Sequence, residues 1–160
     1  MTAKDIISQL QLLPHPEGGF YKETYRCAGS INISAGNERS INTAIYFLLA
    51  DDNKSNFHRI KSDELWFFHQ GTSIEIIILD KGNFTKIILG NDLANAEVPQ
   101  AMVPANCWFA SKVKNSKGYG LVSCTVAPGF DFRDFEMAER SILLDEYPHL
   151  KDLIEEFTIP

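Results

Sequence analysis

Between Phe20 and Val126 the chain is punctuated by turn residues about every ten positions, and this spacing constrains the fold more than any other feature. Runs rich in Ile, Val, Phe, Tyr and Thr fall at 20–26, 43–49, 55–60, 65–70, 73–80, 84–89, 101–103, 107–110 and 119–126. Gln70-Gly71, Asp80-Lys81-Gly82-Asn83 and Gly90-Asn91-Asp92 provide tight turns between them. Short strands joined in this way over about a hundred residues predict a sandwich or barrel. No helical pattern alternates with the strands, which excludes a doubly wound parallel sheet.

Helical spacing is confined to the two ends. Over residues 2–13, Ile6, Ile7, Leu10 and Leu13 share one face, Thr2 is placed as an N-cap with Asp5 three residues on, and Pro14 and Pro16 stop the helix. Two short helices are expected at Phe135–Leu144 and His149–Phe157, separated by Pro148. In the second, Leu150, Leu153, Ile154 and Phe157 make a stripe suited to packing against the barrel. At 160 residues, a single domain spanning 1–160 is expected.

The chain carries 15 basic and 21 acidic side chains, a net charge of −6. Residues 131–160 hold nine of the acidic and three of the basic groups, so the excess lies in the tail. With no basic stripe, a nucleic-acid partner is not expected. Lys112, Lys114 and Lys117 sit among Asn115, Ser116 and Gly118 and read as a solvated hairpin. The longest apolar run, Ala44–Ala50, is seven residues, too short for a membrane-spanning helix. No signal-peptide pattern follows Met1, and the three cysteines are not closely paired, so a reducing, cytoplasmic location is expected.

Phosphate-binding, dinucleotide-binding and nucleophile-elbow signatures are absent. The four histidines, His15, His58, His69 and His149, are scattered. The informative stretch runs from Ser55 to Gly71, with His58, then Glu64 six residues later, then Gly71. It resembles the first motif of the cupin superfamily, H-x-H-x(3,4)-E-x(6)-G, with Ile60 in place of the second histidine. The second cupin motif is matched at Pro104, with Asn106 at its glycine position and Phe109 at its histidine position. His15-Pro-Glu-Gly-Gly-Phe20, Ser62-Asp-Glu-Leu-Trp66 and Val126-Ala-Pro-Gly-Phe-Asp-Phe132 extend the resemblance to the cupin_5-type subfamily, in matching order over roughly residues 5–150.

That resemblance implies an all-β double-stranded β-helix, or jelly-roll barrel, with an N-terminal helix and short C-terminal helices. It also implies a homodimer. Metal-binding cupins use three histidines and the glutamate; only His58 and Glu64 remain here, so neither a metal nor another cofactor is expected. On a regular strand His69 faces away from Glu64.

Three readings of such a barrel compete. In one, His58 and Glu64 are catalytic acid/base residues, as in the sugar-epimerase branch of cupins, acting on a sugar or nucleotide-sugar. In another, the pocket only binds a small molecule, with Tyr46, Trp66, Trp108 and Phe130 as flat surfaces and Gln100 and Asp131 as polar anchors. In the third, the barrel is an interaction or storage module. Trp66, Trp108 and His58 also suit plain core positions, and Glu17 reads as a turn residue. A buried Glu64 requires a partner, for which His58 and Arg26 are the candidates.

Overall fold

The computed structural model describes residues 1–160. Helix α1 (Ala3–Leu10) opens with the expected capping box: the Thr2 side chain receives the Asp5 N–H, and the Asp5 carboxylate receives the Thr2 N–H. It ends earlier than the apolar spacing suggests, because Gln11 turns into the left-handed region.

Thirteen strands follow. The first seven are β1 (Leu13–Pro14), β2 (Phe20–Arg26), β3 (Ser30–Ser34), β4 (Asn37–Ser40), β5 (Thr43–Ala50), β6 (Lys54–Arg59) and β7 (Asp63–Gly71). The remainder are β8 (Ile74–Asp80), β9 (Asn83–Leu89), β10 (Gln100–Val103), β11 (Phe109–Val113), β12 (Tyr119–Ala127) and β13 (Glu136–Met137). Helices α2 (Arg140–Glu146) and α3 (Lys151–Glu156) close the chain. A six-stranded sheet, β1-β2-β5-β12-β7-β10, faces a five-stranded sheet, β13-β6-β11-β8-β9. The hairpin β3-β4 forms a separate two-stranded ribbon. All strand pairings between these elements are antiparallel, giving the jelly-roll barrel expected from the sequence.

Alternation along each strand sorts the core into layers. Phe47, Leu49, Trp66, Ile76, Ile78, Phe109, Val122 and Cys124 belong to the cluster between the sheets. Leu48 and Leu121 point out of the six-stranded sheet and meet Ile6 of α1 and Leu12. Ile77, Leu79, Trp108 and Ala110 point out of the five-stranded sheet and are covered by Leu143, Ile154 and Phe157. The run Ile76-Ile77-Ile78-Leu79 is continuously apolar because both its faces are buried, and each such side chain contributes about 1.5–3 kcal/mol.

The helix expected at Phe135–Leu144 is a correction. Residues 136–137 pair with the edge of β6, and helix begins only at Arg140. Tertiary pairing overrides the helical spacing there, since β6 otherwise leaves backbone groups unpaired. The β3-β4 ribbon was also outside the expected strands; its residues are mostly exposed, and although Ile31 and Ile33 alternate with Ser30, Asn32 and Ser34, the partner strand β4 carries no apolar residue. The lysine hairpin is not purely solvated, because Lys112 pairs with Glu156 at 2.7 Å and Lys114 with Glu97 at 3.0 Å.

Candidate functional site

A cavity of about 580 Å³ opens between the sheets, where β2, β5, β6, β7 and β12 converge. Phe47, Trp66 and Phe109 pack edge to face at its inner end, with centroid separations of 5.7 and 6.3 Å. Phe130, Phe132 and Phe135, from the segment after β12, form an aromatic wall near the mouth. The wall is tied down by a bidentate pair in which Arg39 donates to Asp134 at 2.7 and 2.9 Å, and by the Arg26 guanidinium donating to the Phe130 carbonyl at 3.1 Å.

One side of the cavity is made by the turn His15-Pro-Glu-Gly-Gly19. Gly18 has φ +109°, and a Cβ there would stand 1.8 Å from the Lys54 carbonyl oxygen, so only glycine permits the turn to lie against β6. The Asn56 N–H and its side-chain amide both donate to the Glu17 carbonyl, at 2.8 and 3.1 Å. This contact drives the Glu17 side chain inward. Its Oε1 accepts from Ser55 Oγ at 2.9 Å, and its Oε2 lies 3.0 Å from His58 Nε2 and 3.4 Å from His15 Nδ1.

Glu17 is therefore both the turn residue expected from the sequence and, unforeseen there, a buried member of the cavity wall. Burial pushes its carboxyl up, but the charge and hydrogen bond of His58, then His15 and Ser55, outweigh this and hold it below the ordinary range. His58 is the complement. Burial pushes it down, and Glu17, the Asn56 carbonyl and, last, Glu64 raise it above its ordinary value. His58 Nδ1 lies 2.7 Å from the Asn56 carbonyl, which can only accept, so that nitrogen carries a proton. Both ring nitrogens thus face protein acceptors, and Glu17 and His58 form a closed ion pair.

Glu64 starts β7 on the other side of the cavity and is 8% exposed. It lies opposite Val126 of β12 and Val103 of β10 and has no cationic partner within 4.0 Å; the hydrogen-bonding groups turned toward it are the Cys124 thiol and the Trp66 indole N–H. Burial and the Glu17 charge raise its carboxyl to about 7, against smaller opposing effects of His58, Cys124 and Trp66. The Trp66 indole N–H, on the same face, is buried without an acceptor. The Cys124 thiol is pushed up by burial and by Glu64, so it stays protonated. The expected partners of Glu64 are thus a correction: His58 is taken by Glu17, and Arg26 by Glu23 at 2.7 Å.

His58, Glu64, Trp66, Phe130 and Asp131 all border the cavity. Tyr46, Gln100 and Trp108 do not. Tyr46 falls between inward-facing Ile45 and Phe47 in its strand only in sequence; its own side chain joins the outer cluster beneath α1. Trp108 lies outside the five-stranded sheet, under the C-terminal helices, with the Arg59 guanidinium 4.2 Å from its ring. Gln100 is exposed on the edge strand β10. Their common reason is geometric, since each occupies the outer face or margin of a sheet whose other face lines the barrel. His69, as expected, faces away and meets Ser123 Oγ at 2.8 Å.

The donor set does not fit a transition metal. Ile60 and Phe109 have no ligand atoms, both nitrogens of His58 are engaged, and no three His, Cys, Asp or Glu side chains converge to hold an ion. Asn106 has φ +64°, so the glycine position of the second motif is filled by the residue that best tolerates the left-handed region after glycine. No helix is long and apolar enough to cross a membrane.

A family model described as Cupin_5, Cupin superfamily (DUF985), matches residues 4–138. The uncharacterized protein YML079W of Saccharomyces cerevisiae is 30% identical over 163 residues, spanning 93% of this chain and 80% of that protein. Protein SO0799 from Shewanella oneidensis has a solved structure with TM-score 0.92 and 40% identity, covering 100% of this chain and 99% of that one. A hypothetical protein from Leishmania major gives TM-score 0.93 at 35% identity, with 100% of each chain covered. Oxalate decarboxylase from Bacillus subtilis shares the fold alone, with TM-score 0.56, 12% identity, and coverage of 90% of this chain and 36% of that one. The chain belongs to the Cupin_5 family of the cupin superfamily.

Proposed function

We propose that this Cupin_5 member binds a small molecule in its barrel and moves a proton on it, as a metal-independent sugar isomerase or epimerase would. The observation that carries this reading is Glu64, a carboxyl raised to about 7 that borders the cavity with no cation paired to it. A carboxyl with that value exchanges protons at neutral pH in either direction. As carboxylate it takes a proton from the carbon beside a carbonyl. The C–H electron pair becomes the C=C bond of an enediol, and the carbonyl oxygen takes up the charge. Returning the proton to the neighbouring carbon, with the hydroxyl proton passing from one enediolate oxygen to the other, gives the isomer, and returning it to the opposite face of the original carbon gives the epimer. No oxidant or co-reactant is needed.

His58 does not act as the proton carrier in this scheme, because Glu17 and Asn56 occupy its ring. It fixes the negative charge of Glu17, and that charge helps to keep Glu64 protonated in part. Incubation of the purified protein with keto-sugars in deuterated water tests the reading. Deuterium enters the carbon next to the carbonyl with the wild type and not with Glu64→Gln. Equal incorporation in both proteins, or none in the wild type, refutes it.

A second reading, binding without chemistry, is favoured by the same closed pair. An epimerase that uses two opposed acid/base groups needs a second free group, and His58 is not one. We also propose a homodimer, in a cytoplasmic setting. The exposed ribbon carries Ile31 and Ile33, and Ile41 follows it, apolar surface that a second copy would cover.

A further inference from the structure

Beside the closed pair stands a histidine that the proton-transfer scheme leaves unused. We propose that His15 presents its Nε2–H to the cavity as a fixed hydrogen-bond donor, and that the ligand is an uncharged carbonyl compound whose oxygen accepts from it. This deepens the reading above and rests on it for the identity of the site.

The geometry fixes which nitrogen carries the proton. The Glu17 backbone N–H points at His15 Nδ1 from 3.2 Å. A backbone amide can only donate, so Nδ1 must offer its lone pair. The Glu17 carboxylate is farther from the same nitrogen, at 3.4 Å, and already accepts from Ser55 and His58. The remaining proton then resides on Nε2, which has no partner within the protein. The ring cannot swing away to find one. It meets Tyr21 edge-on at 4.6 Å and lies stacked against Phe132 at 6.1 Å, and its side chain is 6% exposed. Burial, ahead of the opposing attraction of Glu17, holds the imidazole below its ordinary value, which keeps it neutral at pH 7. Of the groups around it, Glu17 favours the charged form and His58 disfavours it, while Tyr21 and Phe132 contribute bulk.

The polar groups bordering the cavity that lack a strong protein partner are the His15 Nε2–H, which has none, and the Glu64 carboxyl with the Trp66 Nε1–H buried beside it. Two are donors only, which suits acceptor oxygens. None is a cation. Of the cations at the mouth, Arg26 pairs with Glu23 at 2.7 Å, and Lys22 donates to the neutral Gln11 amide at 3.0 Å, so its charge stays at the outer rim. A phosphate or nucleotide group seated against His15 would leave Lys22 behind at the mouth and lie beside two carboxyls. Desolvating it there is unfavourable, so the site selects a neutral carbonyl compound over its phosphorylated or nucleotide-linked form.

The test uses nitrogen-15 NMR of the full-length protein with dihydroxyacetone, D-fructose and UDP-glucose as probes. The expected result is a neutral His15 with its proton on Nε2 at pH 7, and a shift of that Nε2–H signal with an uncharged probe. His15→Phe should weaken binding of that probe roughly tenfold, the loss of one hydrogen bond to a buried donor, while His15→Gln, whose amide also donates, should recover part of it. A proton on Nδ1, a charged imidazole at pH 7, an unshifted Nε2–H, or tighter binding of UDP-glucose than of both free probes overturns the proposal. Binding through His15 with no deuterium incorporation leaves the proposal standing and removes the proton-transfer reading instead.

Discussion

Glu17 and Glu64 border one cavity from opposite walls, and their chemistry is opposite. Both are buried, at 6% and 8% exposure. Glu17 arrives on a glycine turn pressed against β6, and that turn delivers it to Ser55, His58 and His15. Glu64 arrives on a strand between two other strands, and the residues opposite it are valines. Burial acts on both carboxyls in the same direction. The partners decide the outcome, holding Glu17 ionised and leaving Glu64 near 7. A buried carboxyl is thus a structural anchor or an available acid according to its neighbours, and depth alone does not distinguish them.

The sharpest way to break this contrast is to remove the anchored member. Glu17→Ala leaves His58 buried without its counter-charge and Ser55 without its acceptor, and should cost about 3 kcal/mol at pH 7, the lower part of the range for breaking a buried pair because the cavity admits water. Urea denaturation measures it. A loss under 1 kcal/mol would mean the pair contributes little to stability.

Removing the available member should act with the opposite sign. The folded state holds the Glu64 proton up to about pH 7, whereas the unfolded chain releases it near 4.5. Between these values the folded state binds more protons, so stability from this group is present below 4.5 and is lost as pH rises through 7. Glu64→Gln should therefore be more stable than wild type at pH 8, by at most ~3 kcal/mol, with the difference vanishing below pH 5. A difference independent of pH would show that Glu64 is not titrating in this range. The pair has its own limits. Glu17 contributes stability above its unfolded value that is lost in acid, and His58 contributes stability below its unfolded value that is lost as pH rises through its raised folded value.

Histidine titration separates the two walls directly. Glu17→Gln should lower the His58 pKa substantially, and Glu64→Gln only slightly, because Glu17 is bonded to the ring and Glu64 lies beyond 4.0 Å. Equal effects from the two substitutions would reverse the assignment of partners. Sedimentation addresses the assembly, where a mass near the single-chain 18.0 kDa at micromolar concentration contradicts the proposed homodimer. The smallest effect is expected from Tyr46→Phe, which should leave affinity for any cavity ligand unchanged, since Tyr46 lies on the outer face of β5.

Much of the fold was legible in the chain because turns and strands leave local marks. Lys81 and Gly82, at φ +47° and +81°, join β8 and β9 in the two-residue turn their sequence suggests. The site was legible only in part. His58 and Glu64 stood out because they match the first cupin motif, and Glu64 also because a carboxylate alternating with aromatic strand residues requires a partner. Glu17 did not, because a glutamate between proline and two glycines has a sufficient local explanation as a turn. The excess glycine was the available signal: one glycine makes a turn, whereas Gly18 exists so that the backbone can meet the Lys54 carbonyl.

The sequence by itself determined the long barrel strands, the capped first helix and the alternation that assigns side chains to opposite faces, but not the β3-β4 ribbon or the β13 pairing. It did not determine which face is interior where both are apolar. Trp66 and Trp108 have similar local settings, yet one packs at the inner end of the cavity and the other lies beneath the C-terminal helices. Nor did it determine the pairing of Glu17 with His58 across some forty residues. Periodicity is a property of the strand alone, whereas interior and exterior, and the partner of a buried charge, are set only when the two sheets close on each other and the helices cover what remains.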